Sequence, residues 1–140
     1  MSRFLSFLLV FAFLGCQEST ISEEELDHLN GYWEINEVEF SDGAQKNYNV
    51  NPSIDFIYFD GSKGYRKKVQ PKLNGTYQTS NDSESFDIIK VNENFTLRYP
   101  NDPNQREESL IALDSISFTI RNGEGVLYTY KRFQPITIPK

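Results

Sequence analysis

Two side chains that often carry chemistry occur once each among the 140 residues, Cys16 and His28. A thiol can serve as nucleophile, metal ligand, disulfide partner or acylation site, and an imidazole as general base or ligand. Most of these roles need company. A disulfide needs a second cysteine, zinc needs clustered Cys and His, and a hydroxyl nucleophile needs a histidine beside it. His28 lies in the tether region with no evident partner, so it reads as a solvated helix position. Gly61-Ser62-Lys63-Gly64 reads as a hairpin turn rather than a phosphate-binding loop, and there is no calcium-binding loop pattern. Glu37 and Glu39 share a strand face, but an acidic surface supplies such pairs without catalysis. The chain is therefore expected not to be an enzyme and to use no metal or cofactor, which leaves attachment as the task of Cys16.

Charge narrows the partners. With 14 Lys+Arg against 20 Asp+Glu the net charge is −6, and such a body repels the phosphates that a nucleic-acid-binding protein must capture. Lys63, Arg66, Lys67 and Lys68 form the one basic cluster. It reads as a charged sheet edge that discourages aggregation, with contact to anionic lipid headgroups as the alternative.

The elements that would position Cys16 come first in the chain. Arg3 precedes an apolar run from Phe4 to Leu14 that is interrupted only by Ser6. A transmembrane helix needs ~20 apolar residues, so this run is too short to span a bilayer and reads as an export signal. It ends in Phe13-Leu14-Gly15-Cys16, which resembles the lipobox of bacterial lipoproteins. The resemblance implies cleavage before Cys16 and acylation of its thiol and new amine. One acyl chain holds a protein marginally, at ~0.8 kcal/mol per buried CH₂, whereas two or more anchor it. Gln17 in place of Asp points, by the family's sorting rule, to the outer membrane of the cell envelope.

Ser22-Glu23-Glu24-Glu25 has capping-box form, and Leu26 and Leu29 supply an apolar stripe, so the spacing predicts a short helix from Ser22 to Leu29. Beyond Asn30 the chain turns to short runs rich in Ile, Val, Phe, Tyr and Thr, broken by turn residues about every eight to twelve positions. Strands are expected near Tyr32–Phe40, Ile54–Phe59, Gly64–Val69, Gly75–Thr79, Ser85–Val91, Phe95–Tyr99, Glu107–Leu113, Ser115–Arg121 and Val126–Phe133. In the last hairpin Ile116, Phe118 and Ile120 alternate with polar residues. A three-residue loop at Asn122-Gly123-Glu124 would pair Ile120 with Val126, Phe118 with Tyr128 and Ile116 with Tyr130, and set Asp114 opposite Arg132.

Gly31-Tyr32-Trp33 opens the first strand and Tyr130-Lys131-Arg132 closes the last. Together with Phe59-Asp60-Gly61 and Gly75-Thr76-Tyr77, this is similar to the Gly-x-Trp signature and late basic residue of lipocalin-like (calycin-type) barrels, as found in lipoproteins of the Bacteroidetes. The resemblance implies an all-β fold, a small antiparallel up-and-down β-barrel of eight to nine strands, with Trp33 plugging one end and Arg132 stacked on it. The organisation is then a signal at 1–15, a tether and short helix at 16–30, the barrel at 31–134 and a tail at 135–140.

Strands of this length, at ~3.3 Å per residue and a tilt near ~40°, make a wall only ~15–18 Å tall. Phe56, Tyr58, Phe86, Phe118, Tyr128 and Tyr130 are the bulky residues expected to face inward beside Trp33. They would fill much of the interior, leaving a shallow tyrosine-lined mouth and making them candidate ligand-lining residues. The expected function is a lipid-anchored envelope lipoprotein that binds a small, partly apolar ligand. The alternative is a non-catalytic interaction module with a filled barrel and an envelope protein as partner. Membrane partition tests the anchor: a Cys16→Ala chain with its leader removed should be recovered in the soluble fraction, and its recovery with membranes would refute the assignment.

Overall fold

The computed structural model describes residues 20–135. The signal, Cys16 and the tail beyond Pro135 lie outside the described residues. Nine strands form one sheet: β1 (Gly31–Glu39), β2 (Gln45–Asn47), β3 (Ile54–Asp60), β4 (Lys63–Pro71), β5 (Tyr77–Val91), β6 (Asn94–Arg98), β7 (Glu107–Leu113), β8 (Ser117–Arg121) and β9 (Leu127–Arg132). From β3 onward each strand pairs antiparallel with its successor, and β9 returns to β1, so eight strands close an up-and-down barrel. β2 is extra. One edge of β1 pairs with β3 through Gly31–Trp33 and with β2 through Glu37–Glu39. Between them a bulge at Asn36 breaks the ladder to β9. The Asn51 side chain donates to the Ile35 carbonyl at 2.9 Å and the Tyr48 amide to that of Asn36 at 2.9 Å, so the freed backbone stays bonded.

The polar run Ser80-Asn81-Asp82, expected to separate two strands, lies inside the long β5. It contains neither Gly nor Pro to end the strand. The extra residues are absorbed as an irregularity, with Lys67 paired to Ser83 and Val69 to Thr79.

The short helix is a 3₁₀ segment over Glu24–Leu29, not an α-helix. Its capping box forms: the Ser22 amide donates to Glu25 Oε2 at 2.8 Å and the Glu25 amide to Ser22 Oγ at 3.3 Å. Leu26 and Leu29 are buried against the barrel core, and His28 is exposed.

The last hairpin keeps its expected faces but not its expected partners. Phe118 pairs with Tyr130 and Ile120 with Tyr128, a slip of two residues that preserves which side each residue faces. The loop is longer than three residues. Asn122 Oδ1 accepts from the amides of Glu124 and Val126, both at 3.0 Å, and the Asn122 amide donates to the Val126 carbonyl. At the other end of β8, Asp114 Oδ1 caps the amides of Ile116 and Ser117, both at 2.8 Å, which delays the strand to Ser117. Ile116 is therefore 68% exposed, and Asp114 is occupied by the turn instead of facing Arg132.

Arg132 closes the barrel end next to the 3₁₀ segment. Its guanidinium lies 3.8 Å from the Trp33 ring and donates to the carbonyls of Asn30 at 2.7 Å, His28 at 2.7 Å and Ser115 at 3.2 Å. Trp33 donates its indole N–H to the Leu29 carbonyl at 2.8 Å. The stacked cation thus satisfies carbonyls that no ladder reaches. Gly31 permits it. Its φ is +127°, and a Cβ there would stand 2.5 Å from Arg132 Nη1. Gly31→Ala should lower stability by about 1–3 kcal/mol, read as a lower urea midpoint; an unchanged midpoint would show that the plug tolerates a side chain there.

Candidate functional site

Side chains inside the barrel divide along its axis. Toward the plugged end Trp33, Phe118, Ile57, Phe59, Phe86, Ile88 and Leu97 belong to one apolar core. A column of rings runs from the plug inward. Trp33 meets Phe118 edge to face at 4.7 Å, and Phe118 stacks on Tyr130 at 4.7 Å with planes 12° apart. At Tyr130 the chemistry changes, because its hydroxyl accepts a 2.7 Å hydrogen bond from Arg66.

Arg66 reaches the interior through strand alternation. β3 and β4 pair Asp55 with Lys68, Phe56 with Lys67, Ile57 with Arg66 and Tyr58 with Tyr65. Directly paired residues share a face, so Asp55, Ile57, Arg66 and Lys68 share the inner one. The buried Arg66 guanidinium lies 3.2 Å from Asp55 Oδ2, 3.9 Å from Glu108 Oε1 and 3.4 Å from the Tyr99 hydroxyl. Lys68 Nζ lies 2.8 Å from Asp55 Oδ1. Across the cavity Arg106 lies over the Tyr99 ring at 3.9 Å and pairs with Glu84 at 2.7 Å and Asp102 at 3.3 Å. That Glu84 contact spans the place where the ladder between β5 and β6 stops, since β6 reaches only Asp87–Val91 of β5.

These groups surround an open cavity of about 480 Å³ at the end opposite the plug. Its lining includes Asp55, Arg66, Lys68, Glu84, Arg106, Glu108, Asn122, Tyr128 and Tyr130. Burial pushes the Asp55 carboxyl up, but Arg66 and Lys68 beside it prevail and hold it below its ordinary value of 3.8. Burial likewise works against the charge of Arg66, and the surrounding Tyr130, Tyr99, Asp55 and Glu108 more than offset it. Burial raises the hydroxyls of Tyr99 and Tyr130, which stay protonated. The mouth therefore holds fixed charges and hydroxyl groups in a confined space, suited to hydrogen-bonding a polar molecule.

The residues singled out in the sequence fall into four places. Gly31, Trp33 and Arg132 build the plug. Phe86 and Phe118 are buried in the apolar half, whereas Tyr128 and Tyr130 line the mouth. Phe56 and Tyr58 do not face inward. They lie on the outer face with Tyr32 and Tyr65, and Tyr58 is 48% exposed. The reason is that Asp55, Ile57 and Phe59 take the inside, with Asp55 paired to Arg66. The basic cluster is likewise split: Lys63 pairs with Asp87, Arg66 is buried, Lys67 lies over the outer rings of Phe56 and Tyr65, and Lys68 bonds Asp55. Sequence reasoning missed Asp55, Arg66, Glu84, Tyr99, Arg106 and Glu108. A signal was present in β7, where Glu108 alternates onto the same face as Leu110.

No protein-family model matches the chain, and no curated protein does. Among solved structures, a lipocalin-like protein from Bacteroides uniformis aligns with a TM-score of 0.47 and 14% identity, over 76% of this chain and 99% of that one.

The buried ion pair makes a pH-dependent contribution. Because the Asp55 carboxyl titrates lower in the folded than in the unfolded chain, its stabilisation is complete above the unfolded value of 3.8 and is lost as pH falls through the folded one. Asp55→Ala should cost about 3 kcal/mol at pH 7 by leaving the buried Arg66 with no carboxylate nearer than Glu108 at 3.9 Å. In urea titrations the gap between variant and wild type should narrow on acidification below about pH 4; a gap that does not change with pH would contradict the pairing.

Proposed function

We propose that the protein is a lipid-anchored, lipocalin-like barrel of the bacterial envelope that binds a small molecule in its open mouth. The observation that carries this reading is the cavity of about 480 Å³, closed at its inner end by Tyr130 and the apolar core and lined by buried charged groups. Ligand pockets occur in the mouths of β-barrels and start at about 300 Å³, with a few placed polar groups fixing orientation. The polar lining shifts the expected ligand away from a largely apolar one.

Attachment through Cys16 fits this arrangement. A tether there joins the described chain at Thr20, just before the 3₁₀ segment that packs on the plugged end, so the mouth lies at the far end of the strands from the segment that leads to the anchor. The filled apolar half and the outer rings of Tyr32, Phe56, Tyr58 and Tyr65 support a second reading, an interaction module that uses its outer surface.

Native mass spectrometry of gently extracted full-length protein separates the two. The ligand-binding reading expects a discrete adduct of small-molecule mass. Repeated absence of any adduct would count against it, and recovery of a stoichiometric protein partner instead would favour the interaction module.

A further inference from the structure

Resting on the reading that Cys16 is acylated, we infer that the outer wall of β5 to β8 carries a phospholipid-headgroup site, on which the barrel lies against the bilayer. Strand pairing builds this wall. Thr96 pairs with Ser109 and Ser109 with Arg121. Their chain neighbours Phe95, Leu97, Leu110 and Ile120 fill the core, so the row faces outward. A bulge in β7 between Leu110 and Ala112 leaves Ile111 40% exposed, and Val91 at the end of β5 is 46% exposed. With Thr20 and the turn residues Asn92 and Asn94, these groups surround an open concavity of about 550 Å³.

Reach selects the occupant. Thr20 follows Cys16 by four residues, and a chain spans at most ~3.6 Å per residue, so Thr20 lies within about 14 Å of the acylated residue. One edge of the concavity is therefore held close to the bilayer surface whenever the anchor is in place.

Charge points the same way. The chain carries a net −6, yet among the described residues no carboxylate lines this concavity, and its one charged lining residue is Arg121. Glu93 stands at the tip of the adjoining turn, outside the lining. Lys63 and Lys68 are engaged by Asp87 and Asp55, whereas the exposed Arg121 has no ion pair among the described residues. A guanidinium matches two phosphate oxygens at once. The exposed amides of Asn92 and Asn94 and the Thr20 hydroxyl can donate to further headgroup oxygens, while Val91 and Ile111 meet the glycerol and the first methylenes. The residue after Arg121, Asn122, lines the mouth, so seating on this wall brings the mouth beside the bilayer surface.

The test uses the full-length protein in vesicles of phosphatidylethanolamine and phosphatidylglycerol, once intact mass has established the acyl chains on Cys16. Acylation leaves that thiol silent, so Val91→Cys and Ile111→Cys can each be labelled with an environment-sensitive fluorophore. Leu73→Cys, at a position 76% exposed in the hairpin between β4 and β5, is the control. Labels at 91 and 111 should shift to the blue and be quenched by nitroxide-headgroup lipids, and the label at 73 should do neither. Arg121→Gln should lower the ratio of seated to unseated protein about fivefold, and high salt should lower it as well. Labels at 91 and 111 that stay aqueous on floated vesicles would overturn the inference, leaving the anchor standing and the concavity to the tether or a protein partner. Equal quenching at 73 would show unspecific contact and overturn the site, and an Arg121→Gln variant without effect would overturn headgroup recognition. A Cys16 without acyl chains would overturn the anchor and the inference together, while the role of the mouth would still be decided by the co-purified adduct.

Discussion

A guanidinium inside a small barrel sets the terms for everything around it. Arg66 is held by Asp55 at 3.2 Å and by the Tyr130 hydroxyl at 2.7 Å, and a buried charge of this kind is tolerable only with such partners. Asp55 must therefore face inward, which fixes the frame of β3 and sends Phe56 and Tyr58 outward. Tyr130 must present its hydroxyl to Arg66, and its ring then stacks on Phe118, which in turn meets Trp33. One buried cation thereby orients the column that leads down to the plug, and ends the apolar core at a definite height.

The two arginines on the axis do opposite work. Arg132 lies at the rim of the plugged end and gives its donors to backbone carbonyls, so the barrel bottom is complete with protein groups alone. Arg66 lies among carboxylates and hydroxyls at the wall of the open cavity, where the buried Arg106 Nε lacks a hydrogen-bond partner among the described residues. One end is thus closed by backbone bonding and stacked rings, and the other opens on a cavity lined by charged groups and hydroxyls. The break between β5 and β6 belongs to the same arrangement: where the ladder stops, Arg106 and Glu84 bridge the gap with side chains.

Much of the architecture was legible in the sequence because it depends on local signals. Turn residues and β-rich runs marked the barrel strands, and Gly31, Trp33 and Arg132 sit at strand ends where their roles do not depend on knowing the interior. The mouth was not legible, and the reason is specific. In Ile54-Asp55-Phe56-Ile57-Tyr58-Phe59 both alternating frames are rich in apolar residues, and the frame without an acid reads as the inner one. Only the non-local partner Arg66 makes Asp55 acceptable inside. Arg66 itself was masked by Lys67 and Lys68, which made one basic run out of residues on opposite faces. The slip of two in the last hairpin arose because Asn122 organises a longer loop through its side chain, something residue type alone does not disclose. Such a slip leaves the faces unchanged, so Tyr128 and Tyr130 still share the inner side with Phe118 and Ile120.

The central claim is that the barrel is sealed at the Trp33 end and open to small molecules at the Tyr128 end. Cysteine accessibility tests it directly, because the chain's own Cys16 is expected to be acylated and so silent to thiol reagents. A Tyr128→Cys variant and a Phe118→Cys variant would each be treated with a small uncharged maleimide under native conditions. The account predicts rapid modification at position 128 and strong protection at position 118 until denaturant is added. Equal protection at both positions would mean a filled barrel with no accessible mouth, and would contradict it.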